Sequence, residues 1–88
     1  MTSSNRPNMA ELRYAVILEP EPNSSALNVL VPAFPEIATF GNSVEHALEM
    51  ARDAIELSIA YRRNEGLDIP ASDDAARLER VVVQVPAA

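Results

Sequence analysis

Two prolines, Pro32 and Pro35, constrain this chain more than any other feature of its sequence. Each proline holds φ near about −65° and lacks an N–H, so residues 31–35 cannot all be hydrogen-bonded as a strand. We therefore expect the chain to reverse here, at the end of an extended segment. The stretch from Ile37 to Phe40 suits a short strand, and Gly41 would end it at a position where a positive φ costs little.

A long amphipathic helix is predicted from about Val44 to Asn64. Either Asn42 or Ser43 could cap its N-terminus, and the sequence does not decide between them. Gly66 is a suitable C-terminal stop, and Arg62 and Arg63 in the last turn complement the negative end of the helix dipole. The stripe expected to face the core has the helical spacing i, i+3, i+4, i+7 and consists of Val44, Ala47, Leu48, Ala51, Ile55 and Ile59.

Alternating apolar residues predict three further strands, at Leu12–Glu19, Ala26–Val31 and Arg80–Val85. With the short strand after the prolines, the order becomes β-β-β-α-β. This order predicts an α+β, two-layer fold, in which one long helix covers one face of a mixed four-stranded sheet. The crossover through the helix should make the third and fourth strands parallel. We expect residues 1–11 to be a disordered tail and residues 12–86 to form a single domain.

The residues from Val31 onward carry a family resemblance. The succession V-P-x-F-P-E-I-x-T-x-G-N-S-x-E-x-A-L-x-x-A-x-D-A-I resembles the N-terminal domain of HicB-like antitoxins, and the match runs from Tyr14 to Pro70. The chain departs from the family pattern at His46, where a second acidic residue is more usual, and in a first hairpin turn without glycine. The resemblance implies a partly degraded ribonuclease H-like fold with strand order 3-2-1-4. Full antitoxins commonly append a DNA-binding domain, which we expect this chain to lack because it ends after the predicted fourth strand.

Composition limits the classes of partner. Thirteen acidic residues against seven arginines, with no lysine, give a net charge of −6. Direct nucleic-acid binding by the monomer is therefore not expected, because phosphate neutralisation needs a clustered basic surface. A basic protein partner suits this charge better. The polar N-terminus and the lack of a long apolar run predict a cytoplasmic protein that does not span a membrane.

No catalytic or cofactor site is predicted. Metal-dependent nucleases of the ribonuclease H type hold a carboxylate in the middle of the first strand, where this chain has Tyr14-Ala15-Val16-Ile17. Glu19 comes only at the end of that strand. The single histidine, His46, has no cysteine to activate and no second histidine for a metal site, so a surface position is expected. We expect no enzyme activity, no metal and no cofactor.

Three surfaces are candidates for binding. Four acidic residues on the exposed side of the helix are the candidate partner-binding residues: Glu45, Glu49, Asp53 and Glu56. The face of the sheet away from the helix should be polar but carries the apolar residues Ile17, Leu30 and Val82, which suggests an oligomer interface. A helix flank at i, i+4, i+7 and i+11 is a second candidate interface, or the edge of an ordinary core, and consists of Met50, Ala54, Leu57 and Tyr61.

These surfaces and the resemblance indicate an interaction protein. The resemblance implies an antitoxin that binds and sterically neutralises a small, basic, mRNA-cleaving toxin of the HicA type. Since 88 residues bury little core and the chain has no cysteine, a homodimer or homotetramer is also expected. The alternative is a stand-alone, oligomeric HicB-like or vestigial ribonuclease H-like protein without a cognate toxin.

Overall fold

A computed structural model describes residues 10–87 of the chain. Most of the predicted disordered tail, residues 1–11, lies outside the described residues. The elements are β1 (Ile17–Pro20), β2 (Leu27–Leu30), β3 (Thr39–Gly41) and the helix α1 (Val44–Glu65). The strands form an antiparallel sheet in the order β1-β2-β3, with α1 packed on it. The predicted α+β class with one long helix is confirmed.

The strand register separates the two faces of the sheet. Leu18 lies opposite Val29, which lies opposite Thr39, and Val29 is buried beneath the helix. Side chains alternate between faces along a strand. The neighbouring residues Ile17 and Leu30 therefore share the outer face, as the sequence pattern predicted.

The Val31–Pro35 segment reverses the chain as expected. The Phe34 N–H donates to the Val31 carbonyl at 2.9 Å, and the Ile37 N–H donates to the Phe34 carbonyl at 3.0 Å. This double turn carries the Phe34 side chain under the sheet, where it is fully buried. Phe34 forms the core with four small or β-branched residues: Val29, Val31, Ala47 and Ala51.

The helix termini follow the sequence signals. Ser43 is the N-cap, and its Oγ accepts a hydrogen bond from the His46 N–H at 3.0 Å. Gly66 is the C-cap, in the left-handed conformation with φ 70°. The predicted core stripe is only partly correct. Ala47 and Ala51 are buried and Ile55 and Ile59 pack against the core, but Val44 and Leu48 are exposed. The alanine side of the helix faces the sheet, so these two larger residues lie beside the contact.

Gly41 is required for a different reason than predicted, because it does not have a positive φ. It is buried at the end of β3, directly against the first turns of α1. A Cβ on Gly41 would lie 2.3 Å from the Ala47 backbone nitrogen, closer than real Cβ atoms come to any neighbour. Glycine at position 41 therefore lets β3 and α1 approach each other.

The predicted fourth strand is not observed in the described part of the chain, and neither are its parallel pairing and the order 3-2-1-4. The chain leaves α1 at Gly66 and returns to the segment before β1, where the Asp73 N–H donates to the Arg13 carbonyl at 3.0 Å. A turn closed by the Ala76 N–H and the Asp73 carbonyl follows. The chain then continues without joining the sheet, and the molecule measures 69 × 27 × 27 Å.

Candidate partner-binding surfaces

The four predicted partner-binding carboxylates form one stripe along α1. Glu45, Glu49, Asp53 and Glu56 are spaced by three or four residues, so they lie on one side of the helix. All four are exposed, while Ala47 and Ala51 face the core. We call these four residues the acidic stripe.

The charge of the acidic stripe is not neutralised by ion pairs. In the described part of the chain the salt bridges join Glu11 to Arg13, Glu36 to Arg62 and Arg77 to Glu79, and none involves the stripe. Arg52 is the only arginine between Val44 and Tyr61. The stripe is thus a solvated negative surface that can attract a basic partner without first breaking existing contacts.

The outer face of the sheet is a second exposed surface. Ile17 lies opposite Leu30, and Asn28 lies opposite Phe40, so these side chains stand on the face away from α1. Phe40 is 54% exposed and Leu30 is 41% exposed. Val82, which the sequence placed on this face, lies outside the sheet instead, because the fourth strand does not form there.

The helix flank is also exposed rather than part of the core. Leu57 and Tyr61 are 73% and 61% exposed, while Met50 is half-buried. Leu57 and Tyr61 border a shallow depression that also includes Ser58, Arg62 and Glu36. The outer face of the sheet lies away from α1, whereas the helix flank adjoins the acidic stripe, because Asp53 and Leu57 are four residues apart on α1.

Arg62 has a structural role that sequence reasoning missed. Its guanidinium lies over the Phe34 ring, and its Nη2 is 3.0 Å from Glu36 Oε2. Its Nη1 donates to the Asp68 carbonyl at 3.2 Å. The interpretation of Arg62 as a dipole-capping residue was incomplete, because only the fold shows that the proline turn passes beneath the end of α1.

Glu36 is held in its charged form by this arrangement. Its pKa is lowered below the ordinary value of 4.5, first by a hydrogen bond from its own backbone N–H and then by the Arg62 guanidinium. The Ser58 hydroxyl also donates to its Oε2, at 3.3 Å. Each donor stabilises the carboxylate more than the neutral acid. Glu36 thus connects the proline turn to the last turns of α1.

A comparison with protein families covers the part of the chain that holds the turn, Gly41 and the helix described above. The model of the HicB-like antitoxins of bacterial toxin–antitoxin systems matches residues 13–88. The chain belongs to this HicB-like antitoxin family. The resemblance stated from the sequence is thereby confirmed. No curated protein and no solved structure matches the chain.

Membership in the HicB-like family implies a toxin–antitoxin role and, in general terms, a toxin partner. His46 fits a structural role, because its Nδ1 accepts the Asn42 N–H at 3.0 Å and its own N–H binds Ser43. Among residues 10–87, no three histidine, aspartate or glutamate side chains converge as they would around a metal ion. Within the same range, no helix combines the length and apolar character that a membrane span requires.

Proposed function

We propose that residues 12–86 form a non-catalytic binding module that neutralises a small, basic, mRNA-cleaving toxin of the HicA type in the cytoplasm. The observation that supports this function best is the acidic stripe, which is exposed and free of salt bridges in the described structure. Family membership supplies the toxin–antitoxin role. The negative charge of the stripe indicates a positively charged partner. An RNA-cleaving toxin fits this, because it has to present a basic surface to its substrate.

Neutralisation is steric in this proposal. The acidic stripe attracts the basic RNA-binding surface of the toxin, and the bound domain then covers the toxin's active site. Charge complementarity of this kind acts mainly on the association rate, which can rise well above the neutral range of about 10⁵–10⁶ M⁻¹s⁻¹. Salt should lower that rate, because charges farther apart than about 8–10 Å are screened at physiological ionic strength.

The test uses a basic HicA-type toxin encoded beside this gene. The association rate is measured by stopped flow or surface plasmon resonance at low and at physiological salt, for the natural chain and for Glu49→Lys/Asp53→Lys. We expect a clear fall of the rate in the double variant and a weaker salt dependence, because the steering charge is removed.

The control is Glu11→Lys/Asp74→Lys, which changes the net charge equally at exposed sites outside α1. It should bind nearly as fast as the natural chain, because it leaves the stripe intact. If both double variants slow binding to the same extent, only net charge matters. If neither variant nor salt changes the rate, the stripe is not the binding site, and an apolar contact must replace it.

The absence of catalysis is part of the proposal. Between Leu12 and Leu18 the chain carries no carboxylate, and the next one, Glu19, lies on the outer face because its register partner is Asn28. A two-metal nuclease needs several oxygen ligands converging within a few ångströms. We expect no RNA cleavage with Mg²⁺ or Mn²⁺. Metal-dependent cleavage that is lost in Glu19→Gln would overturn this part of the proposal.

Self-association through the outer face is a second candidate property, and it would also fit a stand-alone HicB-like protein without a toxin. Leu30 and Phe40 support it, because they are large, apolar and substantially exposed on a small domain. Ile17→Asp should then reduce the molar mass measured by light scattering. If Leu57→Asp reduces it and Ile17→Asp does not, the helix flank of Met50, Leu57 and Tyr61 is the interface.

A further inference from the structure

The C-terminal residues 78–87 form an extended arm that is exposed along its whole length. Its valines at positions 81, 82, 83 and 85 are between 70% and 88% exposed. In the described residues, the last backbone hydrogen bond before the arm is the one that the Ala76 N–H donates to the Asp73 carbonyl. The arm therefore presents both apolar side chains and unpaired backbone groups to solvent.

The composition of the arm is that of a strand rather than of a flexible tail. Between Arg80 and Pro86 it contains four valines and one glutamine, with no charge and no glycine. β-Branched residues favour extended structure, while disordered tails are typically polar and charged. Such a segment is stabilised when it pairs with another strand, because an isolated strand leaves its backbone groups unpaired within the protein.

The same chain offers an open strand edge. Among residues 10–87, β1 pairs only with β2, and no strand lies on its other side. The Glu21 N–H donates to the Ala26 carbonyl at 2.9 Å, in register with the ladder of β1 and β2. Hydrogen-bonded and non-hydrogen-bonded pairs alternate along an antiparallel ladder. The backbone N–H and carbonyl groups of Ile17 and Glu19 therefore also point towards β2. Leu18 therefore directs its N–H and carbonyl to the open edge.

Pro20 agrees with this assignment of the open edge. Proline is tolerated in a strand where its missing N–H would point away from the ladder. Pro20 follows Glu19, whose backbone groups point towards β2, so the Pro20 nitrogen points towards the open edge. The free edge thus extends from Val16 to Pro20, which is five residues.

We propose that the arm residues Arg80–Val85 of each copy pair with the open β1 edge of a second copy, in a reciprocal exchange. The arm segment has six residues and ends at Pro86, as the edge ends at Pro20. At about 3.3 Å per residue, both are between about 16 and 20 Å long. Each copy supplies one arm and one edge, so two copies close a symmetric dimer without leaving either feature unused.

The base of the arm favours a second copy over the chain's own edge. The Tyr14 hydroxyl donates to the Pro70 carbonyl, and Asp73 Oδ1 accepts the Ala15 N–H at 2.8 Å. These bonds hold residues 70–73 against the segment before β1. Beyond the following turn, the arm makes no backbone hydrogen bond to its own sheet within the described residues.

The buried area would be that of a small interface. Exchange in both directions would remove most of the exposed area of two valine arms, on the order of 1,000 Å² with the edges they cover, near the lower limit of stable interfaces at about 1,200 Å². The outer face remains available beside this contact. The exchange does not depend on whether a toxin binds.

The absence of cysteine allows a direct test by crosslinking. One sample carries Glu19→Cys alone, and a second carries a single cysteine at one arm position, scanned from Val81→Cys to Val85→Cys. The two are mixed, unfolded and refolded together, and oxidised. Exchange predicts a disulfide-linked heterodimer for at least one arm position, because disulfides form only where Cα atoms approach within about 7 Å.

The control replaces Glu19→Cys by Glu49→Cys, on the exposed side of α1, and should give no linked heterodimer at those positions. A chain that carries both Glu19→Cys and the arm cysteine separates the two ways of pairing. If it closes an internal disulfide as a monomer while the mixed single variants do not link, the arm pairs with its own edge. That result, or no linkage in either experiment, would overturn the proposal.

A second variant tests the assembly without cysteines. Val83→Pro removes a backbone N–H and so disfavours strand pairing by the arm. Because Val83 is exposed, the substitution should leave the fold of the domain intact. The natural chain should have twice the monomer mass of 9.6 kDa, or a multiple of that, by light scattering. Val83→Pro should reduce this mass at least by half, with unchanged circular dichroism. An assembly that is unaffected by Val83→Pro would exclude arm exchange as its basis.

Discussion

The guanidinium carbon of Arg62 lies 5.1 Å from the centroid of the buried Phe34 ring. Tyr14 contacts the same ring edge-on, with a centroid distance of 4.9 Å and an interplanar angle of 84°. Phe34 is thus enclosed by one residue from before β1 and one from the end of α1. This contact joins the proline turn, the sheet and the helix into one unit.

Replacing Arg62 should destabilise the fold measurably. Arg62→Met keeps an apolar stem over Phe34 but removes the cation–π contact, the Glu36 ion pair and the bond to Asp68. We expect a loss of about 1–3 kcal/mol in the free energy of unfolding, since a partly buried cation–π contact alone contributes about 0.5–2 kcal/mol. Urea unfolding measures this. Arg63→Met, at the exposed neighbouring position, should stay within about 0.5 kcal/mol of the natural chain.

Glu36 should make stability depend on acid pH. Its folded pKa lies below the ordinary 4.5, so the charged form stabilises the fold above that pH. The contribution is lost as pH falls through the folded pKa. The difference in unfolding free energy between the natural chain and Glu36→Gln should be constant near neutrality and shrink in acid. In an Arg62→Met background this pH dependence should decrease without vanishing, because the backbone N–H of Glu36 still donates. An unchanged pH dependence would contradict the role of Arg62.

Gly41→Ala and Gly66→Ala should lower the free energy of unfolding by different amounts. At Gly41 an added Cβ would lie 2.3 Å from the Ala47 backbone nitrogen, which cannot move without shifting α1. Overpacking of this kind costs about 1–3 kcal/mol, and more where backbone must move. A Cβ added at Gly66 would meet no non-adjacent atom of the described residues within 4 Å, so only the positive φ opposes alanine there, at about 1–2 kcal/mol. Urea unfolding of both variants should place Gly41→Ala as the more destabilised. Equal losses would show that the sheet and helix can separate easily.

Asp73 should hold the segment after α1 against the residues before β1. Asp73→Ala removes the carboxylate that accepts the Ala15 N–H, so that amide should exchange faster with solvent. A hydrogen bond to a charged acceptor contributes about 1.5–3 kcal/mol, and less at this exposed site. Hydrogen exchange measured by NMR reports the Ala15 amide directly. Asp74→Ala is the matched control, and it should leave Ala15 unchanged. Equal acceleration in both variants would indicate general loosening rather than the loss of one bond.

Local sequence signals predicted the parts of this fold that depend on local chemistry. The two prolines predicted the reversal at residues 31–35, and Gly66 predicted the end of α1, because both act through backbone torsions. The choice between Asn42 and Ser43 as the helix cap stayed open. Both side chains can accept a backbone N–H, and only the observed bond from His46 to Ser43 decides it.

The acidic stripe could also be predicted from the sequence, since helical spacing determines which residues share a side of a helix. Helical spacing did not predict which part of the apolar stripe would be buried. Val44 and Leu48 fit the stripe as well as Ala47 does, yet Ala47 faces Gly41, because a small residue is needed where a strand and a helix meet closely. Such a requirement arises only between two elements.

The sequence by itself therefore determined the long helix and its C-terminal stop at Gly66, the proline turn and the sign of the surface charge. Tertiary structure decided that Arg62 covers Phe34, that Gly41 is needed for space rather than for φ, and that the Val81–Val85 segment stays outside its own sheet. The valine pattern predicts a strand but carries no information about its partner. Which strand it can pair with depends on where the hydrogen bonds of Tyr14 and Asp73 fix the preceding residues. These bonds join residues 56 to 60 positions apart in the sequence.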